Sequence, residues 1–179
     1  MNVILVGPCG VGKSVVGKSF ANRAQLKYLD FDALGIVDMK ERKGGKSPFS
    51  RTGLNFRQSI PIIMDTTIGG HVLDIGGSTV FYANADNNER LEQVLWVKET
   101  YAAQIMVLTA TKDTLANRFI SDKSRRITDF DAIWDEWSNI AEPYWRQCRD
   151  EFIDTSFLTV NEVTTQIEII MNSRYYEQS

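Results

Sequence analysis

The chain has 179 residues, 43% of them hydrophobic and 24% charged, with a net charge of −3 and an isoelectric point near 5.2. That length suits one domain with a proper core, and an acidic balance offers no footprint for nucleic acid or an anionic membrane surface. No apolar run nears the roughly 20 residues of a spanning helix, and two cysteines, Cys9 and Cys148, make neither a disulfide framework nor a metal cluster. A reduced, cytoplasmic setting is expected, with no cleaved leader, because the N-terminus enters a strand directly.

Val3-Ile4-Leu5-Val6 predicts a buried strand. It runs into Gly7-Pro8-Cys9-Gly10-Val11-Gly12-Lys13-Ser14, which fits the phosphate-binding loop pattern of Gly, four residues, then Gly-Lys-Ser/Thr. Residues 14–23 read as a helix with Val15, Val16 and Phe20 facing inward. A strand turning sharply into a helix leaves N–H groups aimed at one point, where the helix dipole favours negative charge. The glycines let backbone close around a phosphate without Cβ clashes. The candidate nucleotide-binding residues are therefore Gly7, Cys9, Gly10, Val11, Gly12, Lys13, Ser14 and Val15. Lys13 has the reach for β- and γ-phosphates, and the Ser14 hydroxyl is placed to ligate Mg²⁺.

A second strand, Leu26-Lys27-Tyr28-Leu29-Asp30-Phe31, ends in the carboxylates of Asp30-Phe31-Asp32. Residues 40–50 form a polar loop, and residues 55–64 a helix that Pro61 must cap, bend or interrupt. His71-Val72-Leu73-Asp74-Ile75 is a strand closed by Gly76-Gly77-Ser78. His71, the sole histidine, reads as structural. Residues 87–99 have helical spacing, 104–108 form an apolar strand, and 112–120 form a helix before the charged Ser121-Asp122-Lys123-Ser124-Arg125-Arg126. Residues 131–152 read as one packed helix carrying Trp134, Trp137 and Trp145. Phe157-Leu158-Thr159-Val160 is expected as the last strand, before a helix over 162–171. Strands alternating with helices predict an α/β fold of three layers, a parallel five-stranded sheet with helices on both faces. Ligands bind beyond the carboxyl ends of such strands, which gathers the loop, Asp30/Asp32 and Gly76-Gly77-Ser78 on one edge. No repeat or linker splits the chain.

In this order and spacing the residues resemble the shikimate kinase family of small P-loop kinases, over nearly the whole chain. The matching pieces are the loop, Asp30-Phe31-Asp32, Gly53-Leu54-Asn55-Phe56-Arg57 and Leu73-Asp74-Ile75-Gly76-Gly77-Ser78. Arg118, Arg125-Arg126-Ile127-Thr128, Pro143-Tyr144-Trp145 and Ile153-Asp154-Thr155 follow. The resemblance implies one nucleoside-kinase-like domain over 1–179, with a substrate-binding region over about 33–66 and a lid over about 118–130. It implies ATP and Mg²⁺ as cofactors, a small and carboxylate-bearing acceptor as partner, and a monomer or weak dimer. Asp30 would hold Mg²⁺ with Ser14. Asp32 would bind and help deprotonate the acceptor hydroxyl, beside Lys13 and the lid residue Arg125 as catalytic groups. Arg57 would grip the acceptor carboxylate with its planar guanidinium. Gly76, Gly77 and Ser78 would line the acceptor, and Arg118 would pack over the adenine.

The chain departs from the family pattern mainly on the acceptor side. The family's second substrate arginine falls on Ala141, and the acid that usually buttresses the Phe-Arg arginine falls near Ile60 or Pro61. The lid Arg-Pro becomes Arg125-Arg126, and the third glycine becomes Ser78. Losing a charged hydrogen bond costs on the order of 1.5–3 kcal/mol, about ten- to a hundredfold in binding. Arg149, two turns beyond Ala141 on the expected helix, is the candidate replacement. Three functions remain open: a shikimate kinase, a kinase of another small acceptor (a sugar acid, nucleotide or cofactor precursor), or a nucleotide-binding module without phosphotransfer.

Overall fold

In a computed structural model of the chain, the described residues are 1–31, 56–63, 70–121 and 129–177. Five strands form one parallel sheet in the order β2-β3-β1-β4-β5. They are β1 (Asn2–Gly7), β2 (Lys27–Asp30), β3 (His71–Gly76), β4 (Ala103–Thr109) and β5 (Glu151–Asp154). Strands covered on both faces are apolar at nearly every position, and β1, β3 and β4 are of this kind. Alternation sends Ile4, Val6, Leu73, Ile75, Ile105 and Val107 into one core. Val3, Leu5, Val72, Met106 and Leu108 enter the other.

The second core is roofed by α1 (Lys13–Ala24) and α8 (Val160–Glu177), through Val16, Phe20, Val163 and Ile167, with Leu115 of α5 (Lys112–Ser121). The first lies under α2 (Phe56–Ile63), α4 (Asn87–Thr100) and α7 (Glu142–Cys148), which bury Phe56, Ile60, Val94, Val97 and Trp145. The expected three-layer sheet is thus observed. Within α2, Pro61 is accommodated as an exposed residue. Val15, expected to face inward, is 59% exposed, because the loop sets the helix so that Val16, Gly17 and Phe20 meet the sheet.

Three sequence expectations need correction. The last strand is Glu151–Asp154, not 157–160. The preceding helix stops at Cys148, where Arg149 turns to an extended backbone. Asp150 then takes up the edge of β4, its carboxylate accepting from the Ile105 N–H at 2.8 Å and its own N–H donating to the Ile105 carbonyl. Residues 157–159 are instead the run-in to α8. Thr159 and Glu162 close a reciprocal cap, with Thr159 N and Oγ1 each 2.7 Å from Glu162 Oε2 and Glu162 N donating to Thr159 Oγ1. Phe157 is 91% exposed there.

The long helix over 131–152 is broken into α6 (Phe130–Glu136), a π turn (Trp137–Ala141) and α7. Pro143 has no N–H to return to the preceding turn, and the ladder widens just before it, with Glu142 N–H reaching back to the Trp137 carbonyl. The residues after β3 also do more than close a strand. Gly77–Val80 make a short helix, α3, with Ser78 off helical geometry.

Thr159→Ala removes the hydroxyl side of the α8 cap. It is expected to cost about 1 kcal/mol, a fall in Tm of about 2–4 °C at this chain length, measurable by thermal unfolding.

Candidate active site

β1 is the central strand, so the turn after it sits among the ends of β3 and β4. Gly7 has φ +153° and lies so close to β4 that a Cβ would fall 2.2 Å from the Leu108 carbonyl oxygen. Gly12, at φ +99°, caps α1 without a side-chain bond, and the first turn of α1 holds no acidic residue. The helix N-terminus is left for an anion. Lys13 Nζ lies over the loop, donating to the carbonyls of Gly7 at 2.9 Å and Pro8 at 3.2 Å.

Beneath the loop, Ser14 Oγ donates to Asp74 Oδ2 at 2.7 Å, and the Tyr28 hydroxyl donates to the same oxygen at 2.8 Å. Asp74 is 5% exposed, and its partner one strand over is Asp30. Two carboxylates therefore end neighbouring strands on the face that α1 covers. Burial, then the bond to Asp74 and its charge, hold the Tyr28 phenol well above its usual range, so it remains a donor. Asp74 had no assigned role from sequence. The available signal was an acidic residue inside an otherwise apolar central strand, three positions before Gly77.

Arg118, expected near the adenine, ties the loop to the end of β5. It donates to Thr155 Oγ1 at 3.1 Å, the Thr155 carbonyl at 2.7 Å and the Val11 carbonyl at 3.4 Å. Cys9 is half-buried within the loop, and Cys148 is buried. Burial pushes the Cys148 thiol up to about 12. His71 is buried at the opposite end of β3, its backbone N–H donating to Asn2 Oδ1 at 3.1 Å.

On the acceptor side, Arg57 is exposed, with its guanidinium 4.2 Å from the centre of the Trp96 ring of α4. Gly76 ends β3 and Gly77 opens α3 beside the loop. The space over Gly77 is filled, since a Cβ there would lie 2.5 Å from Trp137 Cε3 and 2.6 Å from the Gly7 carbonyl oxygen. Trp145 Nε1 donates to the Gly77 carbonyl at 2.8 Å. Ala141 is fully buried. Arg149 does not fill the missing arginine's place. The π turn changes the register of the helix, α7 ends one residue earlier, and Arg149 lies over the Phe152 ring at 5.1 Å with a bond to the Arg146 carbonyl. Arg146 stacks on the same ring at 4.3 Å. Asp32, Arg125 and Arg126 lie outside the described residues, as do most of the expected substrate region and lid.

A phosphate loop on the central strand of a parallel sheet ordered β2-β3-β1-β4-β5 is the P-loop kinase fold. The family model for shikimate kinase matches residues 9–171, and the chain belongs to that family. A shikimate kinase of Pseudomonas syringae pv. syringae is 26% identical over 162 residues, covering 86% of each chain. The structure of Acinetobacter baumannii shikimate kinase in complex with shikimate superposes with a TM-score of 0.65 at 22% identity, covering 97% of this chain and 93% of that one. A gluconokinase from Sinorhizobium meliloti has the same fold, with a TM-score of 0.60 at 13% identity and coverage of 99% and 97%. Among the described residues no helix is long and apolar enough to cross a membrane.

Two outcomes test this geometry. Gly77→Ala drives a methyl into Trp137 and the loop carbonyl, and is expected to cost about 1–3 kcal/mol, seen as a lower Tm. In thiol titration the folded protein should react at Cys9 alone, and the chain unfolded in guanidinium at both cysteines, since Cys148 is buried and un-ionised below pH 10 or so.

Proposed function

We propose that the protein is an ATP-dependent kinase that transfers the γ-phosphoryl group to a hydroxyl of a small acceptor. The observation that carries this reading is the loop itself, with Lys13 curled over it and Ser14 held on Asp74 beneath it. Lys13 would leave the loop carbonyls for the phosphate oxygens, exchanging neutral acceptors for charged ones. The helix N-terminus would take the phosphate charge.

Among the described residues no three His, Cys, Asp or Glu side chains are grouped to hold a metal. Mg²⁺ in kinase sites needs fewer, because it keeps waters and nucleotide phosphates as ligands. A hydroxyl held on the buried Asp74, with the half-buried Asp30 carboxylate on the next strand, fits such a cation, and Ser14 and Asp30 would hold it. When bound, Mg²⁺ neutralises charge on the β- and γ-phosphates. Asp32 would accept the proton of the acceptor hydroxyl as its oxygen bonds to phosphorus and ADP departs. Arg125 would stabilise the transferring group from the lid, and Arg118 would bound the nucleotide on the β5 side.

Shikimate is the first acceptor to test, because the family and the curated relatives carry that name. A different hydroxylated acceptor is favoured by one observation: the second-arginine position is the fully buried Ala141, and both Arg146 and Arg149 are spent on Phe152.

The test is ADP release with Mg·ATP, comparing shikimate with hydroxy acids, sugars and nucleosides. Shikimate-dependent turnover supports the family activity, and turnover with another acceptor alone keeps the kinase and changes its substrate. Nucleotide binding with no ADP formed on any acceptor overturns the kinase reading in favour of a binding module. Lys13→Ala is expected to lower whichever turnover is found by about a hundredfold or more.

A further inference from the structure

The α1-facing row of the sheet changes character at its carboxyl edge. Val3, Leu5 and Val72 belong to the apolar core under α1. The next positions on that face are Asp74 and its neighbour Asp30. A carboxylate that is 95% removed from solvent, on a strand between two others, is costly unless hydrogen bonds satisfy it. Asp74 has two hydroxyl donors on one oxygen. Ser14 comes from the phosphate loop, and Tyr28 comes from β2.

Tyr28 is placed there by a glycine. Ser14 and Gly17 are three residues apart on α1; Ser14 reaches Asp74 and Gly17 lies against Tyr28. The Tyr28 ring occupies the space where a Gly17 side chain would be, since a Cβ there would lie 2.9 Å from Tyr28 Cε2 and 3.2 Å from Leu5 Cδ1. Lys18 Nζ lies 5.4 Å from the ring centre. The ring is thus wedged between α1 and the sheet, with its hydroxyl fixed on Asp74.

We infer that Tyr28 is a positioning residue for the metal-bound nucleotide: its hydroxyl holds the Asp74 carboxylate so that the Ser14 oxygen faces the cation while its proton stays on Asp74. Ser14 cannot donate to a cation and also point its proton at it. An acceptor behind the hydroxyl decides which way the lone pairs face, and a second donor on that same carboxylate oxygen keeps the acceptor in place. Without the tether, Asp74 is free to rotate towards the Asp30 side of the strand end, and Ser14 loses its orientation. The role belongs to metal-bound nucleotide only, because a nucleotide without metal makes no demand on the Ser14 lone pair.

The inference rests on the proposed metal-dependent nucleotide binding, and one experiment separates the two. Calorimetric titration with a non-hydrolysable ATP analogue is run in Mg²⁺ and in EDTA, on the wild type, Tyr28→Phe and Gly17→Ala. Tyr28→Phe keeps the ring packed on Gly17 and removes only the hydroxyl. Gly17→Ala keeps the hydroxyl and displaces the ring, so the test does not hang on one variant. Both variants are expected to bind about tenfold more weakly in Mg²⁺ and as the wild type does in EDTA. Equal loss in the two conditions would reduce Tyr28 to packing and overturn the inference, as would no loss in either. A wild type that binds equally well with and without Mg²⁺ would overturn the metal-dependent reading and this role with it. A Mg²⁺-dependent wild type matched by both variants would remove the role alone.

Discussion

The site depends on the reversal of the chain between β1 and α1. β1 is paired on both sides, so the loop that follows it has no room to move away from its neighbours. Gly7 touches the β4 carbonyl at Leu108, and its own carbonyl takes Lys13 on one side and meets Gly77 on the other. The Val11 carbonyl is reached by both Arg118 and Thr155 Oγ1, which also bonds to Thr109. The ends of β3, β4 and β5 are therefore all referenced to one stretch of backbone. A residue with a side chain at Gly7 would disturb each of them, which is a stronger demand than phosphate binding alone makes.

Two buried polar groups beside this loop meet opposite fates. Asp74 is satisfied twice, by hydroxyls that the loop and β2 supply. The Trp137 indole N–H is buried with no partner among the described residues. An unsatisfied donor costs about 1–3 kcal/mol, and Trp137 bears that cost while its ring packs against Gly77 and belongs to the first core. Its neighbour Trp145 packs into the same cluster and does find an acceptor, the Gly77 carbonyl. Gly77, the first residue after β3, thus has a packing reason that stands whatever the acceptor is.

The fold was legible because β1, β3 and β4 are short runs apolar at most positions, and such runs have few alternatives to a buried parallel strand. The phosphate loop was legible because its glycines answer backbone demands that local sequence can express. The end of the chain was misread for a different reason. Phe152 and Ile153 continue the aromatic spacing of α7, and the long-range pairing with β4, which begins where Asp150 meets Ile105, makes them a strand. Phe157 and Leu158 look like a strand because they are apolar, whereas Thr159 and Glu162 three residues on carried the cap that places them before a helix. Asp74 and Tyr28 escaped notice because their meaning lies across strands and across the α1 interface, 46 residues apart in the chain.

The two halves of the site are built with different redundancy. The nucleotide half draws on the ends of β1, β3, β4 and β5 and on two helices, with Lys13, Ser14, Asp74, Arg118 and Thr155 linked by hydrogen bonds. The half proposed for the acceptor rests, among the described residues, on α2, which reaches α4 through Arg57 and Trp96, and on a helix interrupted by a π turn at Ala141. A π turn moves every later side chain around the helix axis by most of a residue's rotation, about 100° for a helix of 3.6 residues per turn. A single such insertion changes which side chains face the strand ends without touching the loop. The placement of Arg146 and Arg149 on Phe152 follows from where that helix ends.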